Sequence, residues 1–322
     1  LGNAPIPKAL LAMGLPTMIG MMINALYNLV DAYFVGGLGT SQMGAISVAF
    51  PLGQVVVGLG LLFGNGGASY ISRLLGRGDR ETADRAASTA LYSSIFVGAA
   101  VILCAVIFLK PLLKCLGATD SILPYAVTYA GIYVVSSIFN VFNVTMNNIV
   151  TSEGAARTTM CVLLTGAAFN MVLDPVFIYV LKLGVAGAAI ATAISQAVST
   201  LIYLYYVISG RSMFSFRFRN CCFSNEIMSE ILKIGIPTPA FQLLTSLSIT
   251  MINMQAKPYG DSVIAGMGAV TRMISLGSLM VFGFIKGFQP IAGYNYGAGN
   301  YERLHEAIRI SVVWSTLFCA AF

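Results

Sequence analysis

The sequence predicts an all-α integral membrane protein built from two helical bundles related by an internal repeat. Three observations carry that reading: long apolar runs recur along the chain, charge is scarce, and two sequence patterns return at one fixed offset. Of 322 residues, 57% are hydrophobic and 9% charged, whereas a soluble domain carries roughly 25% charged residues because its surface faces water. About 20 predominantly apolar residues suffice for a helix to cross a bilayer. Lipid is the solvent that fits such a surface.

Taken in order, the apolar runs place spans at 9–35, 42–72, 86–109, 121–150, 158–181, 184–209, 229–256 and 262–293, with a ninth starting near 306. The first run is far too long for a cleaved signal segment and reads as a retained span. The net charge of +6 is banded between the spans rather than gathered on one face. It is therefore a topology signal, and no nucleic-acid partner is expected. With the N-terminus inside, the inner segments hold twelve Lys and Arg: Lys8, four between Arg73 and Arg85, Arg157, four between Arg211 and Lys233, and Arg303 and Arg309. The outer segments hold four, Lys110, Lys114, Lys182 and Lys257. The positive-inside rule then predicts a multi-pass plasma-membrane protein with a cytoplasmic N-terminus. The six cysteines show no CxxC spacing, and those in apolar runs read as small packing residues. His305 lies in a charged loop and reads as a solvated group. No nucleophile–base set, zinc-ligand spacing or nucleotide fingerprint appears, so no enzyme and no cofactor are expected.

The repeat sets the domain plan. Gly14-Leu15-Pro16-Thr17, entering the first span, returns as Gly235-Ile236-Pro237-Thr238, entering the seventh. The loop Gly76-Arg77-Gly78-Asp79-Arg80-Glu81 returns as Gly297-Ala298-Gly299-Asn300-Tyr301-Glu302, at the same offset of 221 residues. Between them Gly44-Ala45-Ile46 answers Gly268-Ala269-Val270 at offset 224, which calls for short compensating gaps. Six spans separate equivalents, so both copies enter from one side, a parallel repeat of the kind found in transporters. An N-lobe over 1–210, a cytoplasmic linker over 211–228 and part of a C-lobe over 229–322 follow. A full second copy would need roughly another hundred residues. The expected whole is two six-helix bundles with twelve helices, of which about eight and part of a ninth lie here.

Ionisable groups inside a bilayer are costly and mark function by default. Asp31 lies late in span one, sharing a helical face with Asn24 and Asn28. Asp174 lies in span five, one turn after Asn170 and directly before Pro175, which weakens the local hydrogen-bond ladder. By helical rise Asp31 sits about 33 Å along span one, Asp174 about 24 Å along span five, and Thr192 about 12 Å from the outer end of span six. Two acids, an amide and a hydroxyl can thus meet in the outer half of the N-lobe, and a cation site is the favoured reading over a merely structural hydrogen-bond network. Further polar rows suggest a water-accessible cavity: Asn140, Asn143 and Asn147 on span four; Gln242, Ser246 and Asn253 on span seven; and Gln54 and Asn65 on span two. Arg272 and Lys286 are the remaining intramembrane charges. Lys286 is expected to snorkel to the inner interface, and Arg272 has no evident partner.

Several of these segments resemble the multidrug and toxic compound extrusion (MATE) family of bacterial type. They are Gly14-Leu15-Pro16, the run from Val30-Asp31 to Gly36, Asn170-Met171-Val172-Leu173-Asp174-Pro175, Gly187 to Thr192, and Val270-Thr271-Arg272. The resemblance covers the whole chain. It implies a secondary active antiporter with two six-helix lobes that expels small organic cations or drugs in exchange for Na⁺ or H⁺, the only cofactor-like species. It maps a cation site onto Asp31, Asn170, Asp174 and Thr192 and a span-one bend onto Pro16. It also implies residence in the bacterial inner membrane, and the chain is expected to act as a monomer. The 221-residue offset sets Ile252 opposite Asp31, so the acidic site belongs to the first lobe alone. The closest alternative is a flippase for a lipid-linked saccharide, which would show a more cationic cavity. A membrane receptor or intramembrane enzyme is a third, and it lacks the motifs.

Overall fold

The computed structural model describes residues 2, 4–116, 118–221, 224–256 and 261–321. Within its helices the side chains of residues 32, 40 and 43, and of several between 246 and 275, fall outside that description. The chain folds as α1 (Ile6–Gly36), α2 (Thr40–Arg77), α3 (Arg80–Ile107), α4 (Leu109–Cys115), α5 (Leu123–Ser152), α6 (Ala156–Pro175) and α7 (Val185–Ile208). It continues as α8 (Asn225–Gly235), α9 (Pro237–Ala256), α10 (Asp261–Gly297) and α11 (Tyr301–Ala321). Among the described residues six helices are long and apolar enough to cross a membrane, and all six lie in the first 208 residues. This is an all-α membrane protein.

Where the sequence predicts one seventh span, the structure has two helices, α8 and α9, broken at Ile236 in front of Pro237. Pro16, the equivalent residue, lies inside α1, which runs on unbroken. The threonines that follow the two prolines also differ in their partners. Thr17 turns its hydroxyl back onto the Met13 and Gly14 carbonyls, both at 2.9 Å. Thr238 instead accepts from Asn65 Nδ2 on α2 at 3.4 Å. The outer connection after α3, expected to be a loop, carries α4, anchored on α5 through Leu109 and Leu113. At the end of α6, Pro175 has no N–H to continue the ladder, and the chain widens into one π-helical turn over Val176–Val180, where Leu181 N donates to Val176 O at 2.9 Å. That turn directly follows Asp174.

The linker after α7 is strapped to the first lobe. Phe214 and Phe216 are buried in the core formed by α2, α3, α5 and α7, and Tyr92 donates to the Phe216 carbonyl at 2.9 Å. Asp84 accepts from Ser215 N at 2.8 Å and Asn220 Nδ2 at 2.6 Å, while Glu153 accepts from Met213 N at 2.8 Å. Cys104, Cys115, Cys161 and Cys319 are exposed rather than packed, so the expected packing role does not hold for them.

The two repeats meet at the end that carries the N-terminus. There α1 crosses α10, and α2 crosses α8 and α10. A Cβ on Gly287 would stand 2.6 Å from Gly14 Cα, and one on Gly66 would stand 2.1 Å from the Ile231 carbonyl oxygen, with Gly235 alongside. Adding the repeat offset to 14 and 66 gives 235 and 287, so each crossing is the image of the other. Gly76 and Gly297, one offset apart, face the carbonyls of Tyr294 and Arg73, each at 2.0 Å from an added Cβ. Side chains are excluded at these points, and backbone packs on backbone. The Arg73–Glu230 ion pair, at 3.0 Å, and the Gln289 Nε2 to Asn65 O bond tie the same region. Toward the opposite end Phe50, Val55, Leu243 and Met251 are exposed. Gly66→Ala should therefore destabilise the purified protein by about 1–3 kcal/mol through overpacking, read as a lower midpoint in a thermal melt. Gly58→Ala, whose Cβ would meet only Pro239 Cβ at 3.7 Å, should leave the midpoint in place. Matching midpoints for the two variants would contradict the backbone contact.

Candidate cation site and cavity

Helices α1, α6 and α7 bring the four residues of the sequence-predicted cation site together. Asn170 and Asp174 lie one turn apart on α6 and are almost wholly buried, at 1% and 0% exposure. The Asn170 amide nitrogen reaches Asp174 Oδ1 on its own helix and Thr192 Oγ1 on α7, both at 3.4 Å. The Asp31 carboxyl of α1 lies within hydrogen-bond reach of the Asp174 carboxyl. No donor serves Asp31 Oδ1, Asp174 Oδ2 or Asn170 Oδ1, all of them buried. Two carboxyl groups in contact cannot both stay ionised without something positive between them. A proton shared between the two acids relieves their repulsion, and a small hard cation takes oxygen ligands of this kind.

This cluster opens on a cavity of about 580 Å³ inside the first lobe. Asp31, Asn170 and Thr192 line it, together with the predicted Asn28, Gln54, Asn140, Asn143 and Asn147. Asn28 is steadied by donating to the Asn24 carbonyl at 2.7 Å. Asn143 donates to Gln196 Oε1 at 2.8 Å and accepts from Thr200 at 3.0 Å, so α5 is locked to α7 along its polar face. Gln242 is exposed on α9 and is not among the described lining residues. The side chains of Ser246, Asn253 and Arg272 lie outside the described residues. Asn65 faces Thr238 rather than the cavity. Ile252, the counterpart of Asp31, is exposed at 44%.

Lys286 departs from expectation. It does not snorkel to the interface; it lines the cavity and donates to Asn147 Oδ1. The sequence held the signal, because Lys286 lies eleven residues before the end of α10, about 16 Å along the axis, further than its side chain extends. Tyr27, Tyr129, Tyr133 and Tyr203 also line the cavity, and the sequence does not mark them because aromatic residues in an apolar helix carry no distinguishing pattern.

A family model, MatE, matches residues 16–176 and 237–322. Its two matched segments begin at Pro16 and Pro237, one repeat offset apart. The chain belongs to the MatE family. It is 31% identical over 326 residues to the multidrug export protein MepA of Staphylococcus aureus (strain MRSA252), covering 99% of this chain and 72% of that one. Among solved structures it is similar to a MATE in the straight conformation, with a TM-score of 0.95 and 30% identity over 99% of this chain and 72% of that one. It is also similar to a MATE in the bent conformation, with a TM-score of 0.92 and 31% identity over 99% and 71%. MatE membership fits the absence of enzyme motifs, since these relatives are transporters.

In this MatE chain, Asn170 is the only donor among the described residues that reaches Asp174. Asn170→Leu should cost about 1–3 kcal/mol by leaving a buried carboxyl without it, measured as a lower thermal midpoint in detergent. A midpoint equal to the wild type would show that this amide is not what satisfies the acid.

Proposed function

We propose that this protein is a multidrug efflux transporter that exchanges small organic, mainly cationic and amphipathic compounds for Na⁺ or H⁺. The observation that supports the reading most is the Asp31–Asp174 contact, with its three donorless oxygens, at the wall of a polar cavity inside a membrane bundle. An ammonium-bearing or aromatic cation suits that lining of amides and tyrosines. A pyrophosphate-linked saccharide suits it poorly, because the described lining holds one base, Lys286, against Asp31 and eight Asn and Gln side chains.

The exchange works by alternating access between the lobes, and it requires that cation and substrate favour different states, because a ligand indifferent to state shifts nothing. Helix α1 links the two. It carries Asp31, Asn28 and Tyr27 at the cavity and Gly14 at the crossing with α10. A cation that draws Asp31 and Asp174 together moves α1 against its neighbours, so the cavity wall and the interlobe contact change as one. Pro16, within the segment of α1 that packs on α10, is where that helix yields most easily. The basic end, where the lobes touch, is cytoplasmic by the positive-inside rule, so the described arrangement faces outward, and the likeness to bacterial exporters favours the bacterial inner membrane.

Efflux of a cationic dye from cells should fall about tenfold or more in Asp31→Asn and in Asp174→Asn. Undiminished efflux in both variants would remove the proposed site. In proteoliposomes, dye movement driven separately by a sodium gradient and by a pH gradient identifies the coupling ion. A protein that moves dye under neither gradient is not this exchanger.

A further inference from the structure

We infer that Lys286 is the residue that selects for substrates bearing a carboxylate beside their positive charge. This rests on the exporter reading above and narrows its substrate class.

The residue comes from the second lobe but works in the first. Its neighbour Gly287 packs directly on the Gly14 backbone, which pins this part of α10 against α1 and directs Lys286 into the N-lobe cavity. There its ammonium donates to Asn147 Oδ1. The Asn147 amide is held in that orientation by its own nitrogen, which donates to Tyr203 OH at 3.1 Å. An ammonium has three donors and no acceptor, so two remain for a ligand. Among the described residues no ion pair includes Lys286. The nearby lining, Asn143, Gln196, Ser199 and Tyr203, is neutral.

A part-buried cation in the wall of a membrane cavity favours an opposite charge, and a neutral amide supplies only a dipole. The first repeat does not share the feature, since the position one offset earlier is Asn65, which donates to Thr238. The two charged ends of the cavity are well separated. Tyr133, near Asp31, and Asn147 are fourteen residues apart on α5, about 21 Å. A dye-sized molecule seated on Lys286 therefore leaves Asp31 and Asp174 free for the coupling cation. The ligand chemistry that completes this end is an organic carboxylate, and amides and tyrosines stand ready for the aromatic, positively charged remainder.

Two dyes that share one ring system test the assignment: rhodamine 110, which carries a free carboxylate, and rhodamine 123, its methyl ester. Binding to the purified protein in lipid nanodiscs is read by fluorescence anisotropy. Lys286→Gln keeps a donor for Asn147 while removing the charge. It should raise the Kd for rhodamine 110 about tenfold or more and leave rhodamine 123 within about twofold. Lys286→Arg should restore most of the affinity for rhodamine 110. Equal weakening of both dyes in Lys286→Gln assigns the residue a structural role and overturns the inference, as does an unchanged Kd for rhodamine 110. Wild-type protein that binds neither dye counts against the exporter reading itself. Wild-type protein that binds both, with no change in their ratio in Lys286→Gln, counts against the role of Lys286 alone.

Discussion

Two carboxyl groups touch inside a bundle surrounded by lipid, and the site's chemistry depends on that contact. In water such a pair would separate or ionise freely. In a low-dielectric interior its repulsion is large, and each oxygen without a donor adds a desolvation penalty. Asp31 and Asp174 are held together by three helices that pack for other reasons, so the fold imposes the contact, and in the proposed exchange a bound proton or cation relieves it. Asn170 spans the gap from Asp174 to Thr192, which aligns the amide and hydroxyl with the acids. The π-helical turn after Pro175 leaves the helix beside the pair less regular than its neighbours.

The second constraint is the closeness of the lobes at the other end. Glycines let α1 and α2 lie against α10 and α8 at backbone distance, and the crossings obey the repeat offset. The pseudo-two-fold is therefore a property of the packing as well as of the sequence. It is broken in a few places that carry chemistry. Asp31 faces an empty role at Ile252, Asn65 corresponds to Lys286, and α1 is continuous where α8 and α9 are separate. A symmetric framework thus holds an asymmetric set of charges, with the acids in the first lobe and the base reaching across from the second.

Much of this could be read from the residues. Apolar run lengths place the first six spans to within about six residues, because the bilayer sets helix length. Helical rise alone puts Asp31, Asp174 and Thr192 at one depth. Less legible were the features that depend on neighbours. Pro16 and Pro237 look alike in sequence, yet one helix continues and the other breaks, and the threonines that follow them find different partners. Phe214 and Phe216 lie in the linker after α7, where the sequence reading singles out no buried residue. They are buried because Asp84, Glu153 and Tyr92 fasten that loop, although their alternation with polar residues was a strand-like hint of one buried face. Lys286 departs from the usual pattern, in which membrane lysines near helix ends reach water, because it lies too far from the end of α10.

Counting the cations that the acid pair takes up tests the account most directly. Purified wild-type protein and the Asp31→Asn, Asp174→Asn double variant can be titrated side by side, potentiometrically with acid and by radiotracer binding with sodium. The account predicts that the wild type reversibly takes up about one more Na⁺ per chain, or up to about two more protons in two separate steps, than the double variant. Identical uptake by the two proteins under both titrations would contradict it.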